Sequence, residues 1–297
     1  MPNNNYEKKL RFTGFFFIFP VTLYFLILYW VPLLSTLKMS LFSTSTKVDK
    51  FVGLETYGNV LSDEYFWNAF SNTIIFSVIS VVAIILIGLV ISISLYSLNK
   101  RLRNAFVLLI IIPTFVSFTA AGLIWSLIYN PDFGFANYIL EFITNEPKTF
   151  LFLQSEQQVI PFLAIINIWV RLGLAIIIFM AGLENIPDTY IETAKVNGAK
   201  GLKLHRYITL PMLVPHIVVV LLLEVINSIK VFDIVIVAMK GEPNDSSQTL
   251  MTYYYKYFKN FDNSPEKAAV VAVCIFILLL LFGIIHNKIR ERVKYEL

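Results

Sequence analysis

Long apolar stretches alternate with shorter polar segments along the whole 297-residue chain. An α-helix needs about twenty predominantly apolar residues to cross a bilayer, and six stretches reach that length. They cover approximately residues 12–36, 70–98, 104–129, 159–182, 209–239 and 268–287. The pattern therefore predicts an all-α, polytopic membrane protein whose six transmembrane helices form a single transmembrane domain over residues 1–297.

The charges between these stretches predict an orientation. The first stretch is too long for a secretion signal and lacks a small-residue cleavage site, so we interpret it as a retained span. Because lysine and arginine favour the cytoplasmic side, both termini and the segment 183–208 are expected in the cytoplasm. The basic residues on that side are Lys8, Lys9, Arg11, Lys100, Arg101, Arg103, Lys195, Lys200, Lys203, Arg206, Lys288, Arg290, Arg292 and Lys294. On the other side, a short helix is expected over Glu55–Leu61.

Composition excludes several classes of protein. With 57% hydrophobic and only 15% charged residues, the chain is too apolar for a soluble globular protein. Its net charge of +4 gives no indication of nucleic-acid binding. The single cysteine, Cys274, excludes a disulfide within the chain and a cysteine-ligated zinc site.

Motifs that would indicate catalysis are missing from the sequence. There is no Gly-x-x-x-x-Gly-Lys-Ser/Thr loop to hold ATP and no His-Glu-x-x-His pair to hold zinc. The three histidines, His205, His216 and His286, are scattered over the predicted cytoplasmic ends of spans. Without a nucleophile and a base in one cavity, an enzyme is a poor hypothesis, and transport is the better one.

The segment 183–208 is the most strongly polar interruption between two spans. Pro187 and Asp188 are typical of a helix start, and Asn197-Gly198 is a typical helix stop because glycine adopts left-handed conformations freely. We therefore predict a short exposed helix, a bend, and a second short helix that stops near Pro211. These features alone leave open an ordinary cytoplasmic loop.

Polar residues within the predicted spans are candidates for a solute pathway. Asn167 and Arg171 are four residues apart and share one face of the fourth span. A second stripe, in the fifth span, follows the i, i+3, i+4, i+7 pattern and consists of Glu224, Asn227, Ser228 and Val231. Burying polar groups in hydrocarbon is costly unless they face a cavity or a partner, so both faces are predicted to line a pathway.

Structural roles for the same residues stay open. Arg171 and Glu224 could neutralise one another between helices instead of contacting solute. Lys230 and Asp233, at i and i+3, are interpreted as a local ion pair. The uncharged polar residues of the fifth-span stripe could serve only as interhelical hydrogen bonds.

Several motifs together resemble those of a known family. Glu192-Thr193-Ala194, Gly198 and Ile208-Thr209-Leu210-Pro211 resemble the Glu-Ala-Ala…Gly…Ile-x-Leu-Pro signature of permease subunits of ATP-binding-cassette (ABC) importers. The carbohydrate branch, and within it the sugar-contacting subunit of the maltose type, is indicated by 182–188, 230–233, Pro113, Trp125, 130–134 and the spacing from Trp169 to Glu192. Thr193, Asn197 and Glu242 depart mildly from the family pattern.

The resemblance implies a type I importer permease with a cytoplasmic coupling helix that docks on a separate ATPase dimer. The residues it assigns to coupling are Glu192, Thr193, Ala194, Asn197, Gly198, Ile208, Leu210 and Pro211. It also implies a second homologous permease, an extracellular solute-binding protein and a lipid bilayer, in the plasma membrane of a prokaryote. The chain itself would bind no cofactor and no nucleic acid, while the ATPase would bind ATP and magnesium.

The family's sugar-contacting positions fall on Thr114, Phe118, Asn167, Arg171, Glu224, Asn227, Ser228 and Val231. A neutral oligosaccharide is the first hypothesis. Because arginine binds carboxylates and phosphates, an acidic sugar such as a sialic or uronic acid, or a phosphorylated polyol, is the alternative. A different class, an ion-coupled secondary transporter, would usually show inverted repeats, and none is found in the sequence.

Overall fold

The computed structural model describes residues 4–43, 50–145, 150–260 and 264–296. Within these ranges the regular structure is almost entirely helical. The side chains of Lys8, Lys9, Arg11 and Lys294, used for the predicted orientation, lie outside the described residues. Contacts between Cα atoms divide the chain into two compact units: Met1–Ser62 with Tyr254–Cys274, and Asp63–Tyr253 with Ile275–Leu297. The single domain over residues 1–297 stays a prediction.

The first unit contains the N-terminal span. Its elements are α1 (Asn4–Phe25), a π-helical turn (Leu26–Trp30), α2 (Val31–Met39), β1 (Phe42–Ser43), β2 (Lys50–Phe51) and α3 (Glu55–Leu61). The helical run Phe12–Met39 is long and apolar enough to cross a membrane. The two strands form a minimal antiparallel pair in which Phe42 lies opposite Phe51. The bounds of α3 confirm the short helix predicted there.

The second unit contains most of the helices. They are α4 (Glu64–Tyr96), α5 (Lys100–Ile111), α6 (Phe118–Ile128), α7 (Phe135–Thr144), α8 (Val159–Glu184), α9 (Asp188–Val196), α10 (Leu202–Leu204), α11 (Leu210–Ile229) and α12 (Asp233–Ala238). There are two further helices, α13 (Leu250–Tyr255) and α14 (Pro265–Glu296). The first part of each helix is assigned to one unit and the second part to the other.

Helix α8 occupies the centre of the second unit. It packs along α4, and α11 contacts both. One buried cluster, around Phe76, Ala121, Leu163 and Ile234, joins α4, α6, α8 and α12. A second cluster lies nearer α9 and joins α4, α8 and α11 through residues such as Phe179. The polar residues of α8 and α11 are therefore held in fixed positions between two apolar layers.

The third predicted span, 104–129, is broken rather than a single helix. The run Lys100–Phe115, whose last turn Ile112–Phe115 is a 3₁₀ helix, is bent by 97° from α6. Pro113 supplies no N–H to an α-helical ladder, and the Ser117 hydroxyl caps α6 by accepting from the Ala120 N–H at 3.2 Å. The apolar run continues across this point, so hydropathy alone predicted one helix.

The fifth span also differs from its prediction over 209–239. The helical run covers Leu202–Ile229, passes through a π-helical turn at His205–Thr209, and is separated from α12 by residues 230–232. The prediction of a second short helix stopping near Pro211 is wrong, because the chain stays helical through this residue. Pro211 has no N–H to donate to the Tyr207 carbonyl, and Tyr207 lies in the π-helical turn, where the α-helical hydrogen-bond pattern is already interrupted.

Candidate functional site: the α9 segment and a polar cavity

The segment 187–211, called the α9 segment here, folds as its local signals predict. Pro187 is extended (φ −63°, ψ 134°) and α9 starts at Asp188, whose carboxylate is favourable in the first turn. The helix ends at Val196, and Gly198 takes the left-handed region with φ +84° while its N–H donates to the Lys195 carbonyl at 3.0 Å. The predicted helix and its glycine stop are confirmed.

Most of the residues assigned to coupling on α9 face away from the bundle. Ala194 is buried at 9% exposure, whereas Glu192, Thr193, Asn197 and Gly198 are exposed. Two apolar side chains that we did not single out, Val196 and Leu202, are each 87% exposed beside them. The signal for these two residues in the sequence was an apolar side chain within an otherwise polar segment. The exposed face of the α9 segment thus combines apolar and charged groups.

The remaining coupling candidates lie in the wall of the bundle. Ile208 and Leu210 are half-buried, and Leu210 packs against the second core cluster. Pro211 is exposed at the start of α11. Leu210 thus joins the start of α11 to the core, and the helical run is continuous from Leu202 to Ile229.

An ion pair joins α8 to α11. Arg171 Nη2 donates to Glu224 Oε1 at 2.8 Å, and Arg171 Nε donates to Glu224 Oε2 at 3.1 Å. The Glu224 side chain is 2% exposed and that of Arg171 is 13% exposed. Such a bidentate arrangement is the strongest geometry available to these two groups. The two charges therefore neutralise one another, which is the structural alternative left open by the sequence.

A polar cavity of about 360 Å³ lies next to this pair along both helices. Its lining brings together four of the predicted pathway residues: Phe118 from α6, Asn167 from α8, Asn227 from α11, and Val231. The further lining residues come from the gap between α11 and α12, from the first turn of α12 and from α13: Lys230, Phe232, Asp233, Ile234 and Met251. Sequence reasoning did not assign Met251 to the pathway.

The ion pair lies on the α9 side of this cavity. In α8, which runs toward α9, Arg171 follows Asn167 by one helical turn. In α11, which runs away from the α9 segment, Glu224 precedes Asn227 by about one turn. Neither charge lines the cavity. The pair thus lies between the cavity and the α9 end along both α8 and α11.

The amide groups at the cavity are incompletely bonded. Asn167 is 3% exposed, and its Nδ2 makes no hydrogen bond to another described residue. Asn227 Nδ2 donates to the Leu223 carbonyl of its own helix at 3.0 Å. A buried donor without a partner costs free energy, so Asn167 is suited to bond a hydroxyl or carbonyl oxygen entering the cavity.

The other pathway candidates do not line the cavity. Ser228 is fully buried, and its hydroxyl donates to the Val225 carbonyl at 3.2 Å. Thr114 packs at Gly173, where an added Cβ would lie 2.6 Å from the Thr114 Oγ1.

Lys230 and Asp233 are both exposed, and the structure records no salt bridge between these two described residues. The interpretation of these two charges as a local ion pair is wrong.

Comparison with known proteins identifies the family. Residues 85–295 match the family described as "Binding-protein-dependent transport system inner membrane component". The chain is 30% identical to the trehalose/maltose transport system permease protein MalF of Thermococcus litoralis, over 97% of this chain and 98% of that protein. It is 28% identical to the arabinooligosaccharides transport system permease protein AraP of Bacillus subtilis, over 98% and 92% of the two chains.

Solved structures share the fold. A chain of a bacterial ABC transporter involved in the import of the acidic polysaccharide alginate superposes with a TM-score of 0.85 at 20% identity, covering 98% of this chain and 99% of that one. A chain of the MetNI methionine ABC transporter gives 0.52 at 18% identity, covering 80% and 98%. The structural match confirms the predicted fold class of a type I importer permease. The family match over residues 85–295 and the 30% identical relative confirm the prediction of a transport subunit. This multi-pass protein of the prokaryotic plasma membrane belongs to the family of binding-protein-dependent transport system inner membrane components.

Proposed function

We propose that the chain passes a sugar, delivered by an extracellular binding protein, across the membrane by alternating access. A second homologous permease would complete the translocation path. Both termini and the α9 segment face the cytoplasm, as the distribution of lysine and arginine indicates. The observation that carries the solute part of the proposal is the 360 Å³ cavity between α6, α8 and α11, which holds an unpartnered buried amide.

The α9 segment is the contact with a separate ATPase dimer, which binds ATP and magnesium, while this chain binds no cofactor. Exposed apolar groups such as Val196 and Leu202 favour a protein partner, and Glu192 supplies a charge beside them. When the ATPase dimer closes on ATP, the docked segment moves, and its continuity with α11 carries the motion to the cavity. ATP supplies the differential binding free energy that alternating access requires.

The cavity favours a neutral oligosaccharide. Phe118, Asn167 and Asn227 all line the cavity. An aromatic ring can stack on the apolar face of a sugar, and the two amides can bond its hydroxyl groups. Arg171 is committed to Glu224, so it offers no free charge to an acidic group. Relatives named for trehalose/maltose and arabinooligosaccharides support the same choice.

An acidic sugar or a phosphorylated polyol is the second candidate. Lys230 lines the cavity without a salt-bridge partner among the described residues, and it would attract a carboxylate or a phosphate. Asp233, which lines the same cavity, opposes this. The similarity in fold to a chain of the alginate importer is compatible with either solute class.

Reconstitution by omission tests the function. Proteoliposomes would receive the chain, its second permease, the ATPase and the binding protein, and uptake of labelled maltooligosaccharides and of labelled oligouronates would be followed. We expect uptake that needs ATP and that disappears when any one component is left out. Uptake by the chain alone, driven by an ion gradient, would make it a secondary transporter and overturn the proposal.

A further inference from the structure

Helix α7 carries an exposed apolar stripe. Its positions follow the i, i+3, i+4, i+7, i+8 pattern of one helical face: Phe135, Tyr138, Ile139, Phe142 and Ile143. Their exposed fractions are 62, 68, 40, 80 and 71%, respectively. Large apolar side chains that stay exposed together mark a surface for a membrane or a protein. The name α7 stripe is used for these residues below.

The α7 stripe cannot turn inward, because the opposite face of the helix is already held. Ala136 and Leu140 pack against the cluster that includes Leu163 and Ile234. The Asn137 side chain accepts from the Phe150 N–H at 2.9 Å and donates to the Phe150 carbonyl at 3.1 Å. The rotation of α7 about its axis is thereby fixed.

A tight turn holds α7 close to the end of α6. Asn130 Oδ1 accepts from the Asp132 N–H at 2.9 Å and the Phe133 N–H at 3.2 Å, and the Gly134 N–H donates to the Asn130 carbonyl at 2.8 Å. A Cβ on Gly134 would come within 2.2 Å of that carbonyl and 2.5 Å of the Ile128 carbonyl, so only glycine fits. Helix α7 therefore begins directly beside the end of a membrane span.

The position of α7 along the chain places it at one membrane face. It lies between the end of α6 and the start of α8, and α8 reaches the α9 segment only at its other end. Apolar exposure continues from α6, at Leu123 and Leu127, through Phe133 into the α7 stripe. Within α7 the only charged residue is Glu141, which lies outside the stripe.

We propose that α7 lies in the membrane–water interface opposite α9, with the α7 stripe inserted among the lipids of that leaflet. Aromatic side chains are enriched at this depth, and an amphipathic helix buries its apolar face about 5–10 Å into the headgroup and acyl boundary. The stripe continues the exposed apolar surface of α6, which belongs to an apolar pair of helices long enough to span a bilayer, and this continuity favours lipid as the occupant. Because Leu140 and Phe118 pack on one cluster, this anchor holds the cavity at a fixed depth in the bilayer.

Spin-label accessibility distinguishes lipid from a protein partner. In a Cys274→Ser background, a nitroxide would be attached to Phe142→Cys on the stripe or, as the matched control, to Glu141→Cys beside it. Saturation measurements on the complex with its second permease and ATPase in phospholipid vesicles compare access to oxygen, which partitions into lipid, with access to a water-soluble nickel chelate. We expect the ratio of oxygen access to nickel access to be several-fold higher for the label at 142 than for the label at 141. The label at 141 should be more accessible to nickel than to oxygen.

Two results would overturn the proposal. Equal nickel access at both positions would put the α7 stripe in water. Nickel access at position 142 that is lost only when the binding protein is added would assign the stripe to that protein. If Phe142→Cys fails to assemble, Tyr138→Cys reports on the same face, and the same results support or overturn the proposal.

Discussion

Removing one partner of the Arg171–Glu224 pair should destabilise the fold far more than removing both. The carboxylate is 2% exposed and accepts two hydrogen bonds, at 2.8 and 3.1 Å, from the guanidinium. Arg171→Met leaves this carboxylate buried and unpaired, and breaking a buried pair in this way costs about 3–5 kcal/mol. Glu224→Leu leaves an unpaired guanidinium, and the insertion cost of a lone arginine at mid-membrane is about 2.5–3.5 kcal/mol.

The double variant Arg171→Met/Glu224→Leu removes both charges and keeps similar volumes. Replacing a buried pair by apolar residues is often neutral or stabilising by about 1–4 kcal/mol. We therefore expect the double variant to be at least as stable as the wild type. The assay is the free energy of unfolding of the purified chain, from titration with sodium dodecyl sulfate in mixed micelles.

A second ion pair in the chain provides the control. Arg103 and Glu184 lie 3.1 Å apart, but the Glu184 side chain is 57% exposed. Glu184→Leu should therefore cost less than about 1 kcal/mol. The reasoning is refuted if each single variant at the buried pair costs no more than this control, or if the double variant loses the sum of the two single losses.

Three further variants test other parts of the structure. Leu202→Asp places a charge on an 87% exposed apolar residue, so it should weaken binding of the ATPase about tenfold, measured by titration of the detergent-solubilised permease, without lowering its melting temperature. Asn167→Leu removes a buried donor that has no partner in the described structure, so uptake should fall at least about tenfold while the free energy of unfolding stays equal or rises. A lower free energy of unfolding would contradict this expectation. Gly134→Ala forces a Cβ to within 2.2 Å of a carbonyl and should cost about 1–3 kcal/mol of unfolding free energy, whereas an unchanged value would show that the turn relaxes.

Elements with complete local signals were predictable from the sequence. Helix α9 has its proline, its acidic first turn and its glycine stop within a dozen residues, and its ends lie where these residues indicate. The helical faces of Asn167 and of Asn227 were also predictable, because helical periodicity needs no knowledge of the neighbouring helix. Both amides line one cavity, together with Val231 of the fifth-span stripe and with Phe118, which only the family resemblance had indicated.

Features that depend on the path of the chain in three dimensions were not predictable. Hydropathy shows that residues 104–129 are apolar, but it contains no information about the direction of the helix axis. The 97° bend could therefore not be predicted from it. The ion pair between Arg171 and Glu224 depends on the packing of α8 on α11, and local sequence does not determine that packing. Met251 reaches the cavity from another helix, and the α7 pattern was overlooked because ten residues are too few to span a bilayer.

ATP-driven uptake by Gly198→Asp, compared with Asn197→Asp, tests the central claim most directly. Both variants add one carboxylate to the exposed end of α9, but residue 198 has φ +84° and residue 197 has φ −79°. In proteoliposomes containing the complete importer, the account predicts that Gly198→Asp abolishes uptake while membrane insertion persists, and that Asn197→Asp transports normally. Full ATP-dependent uptake by Gly198→Asp would contradict the claim that the α9 segment couples this permease to its ATPase.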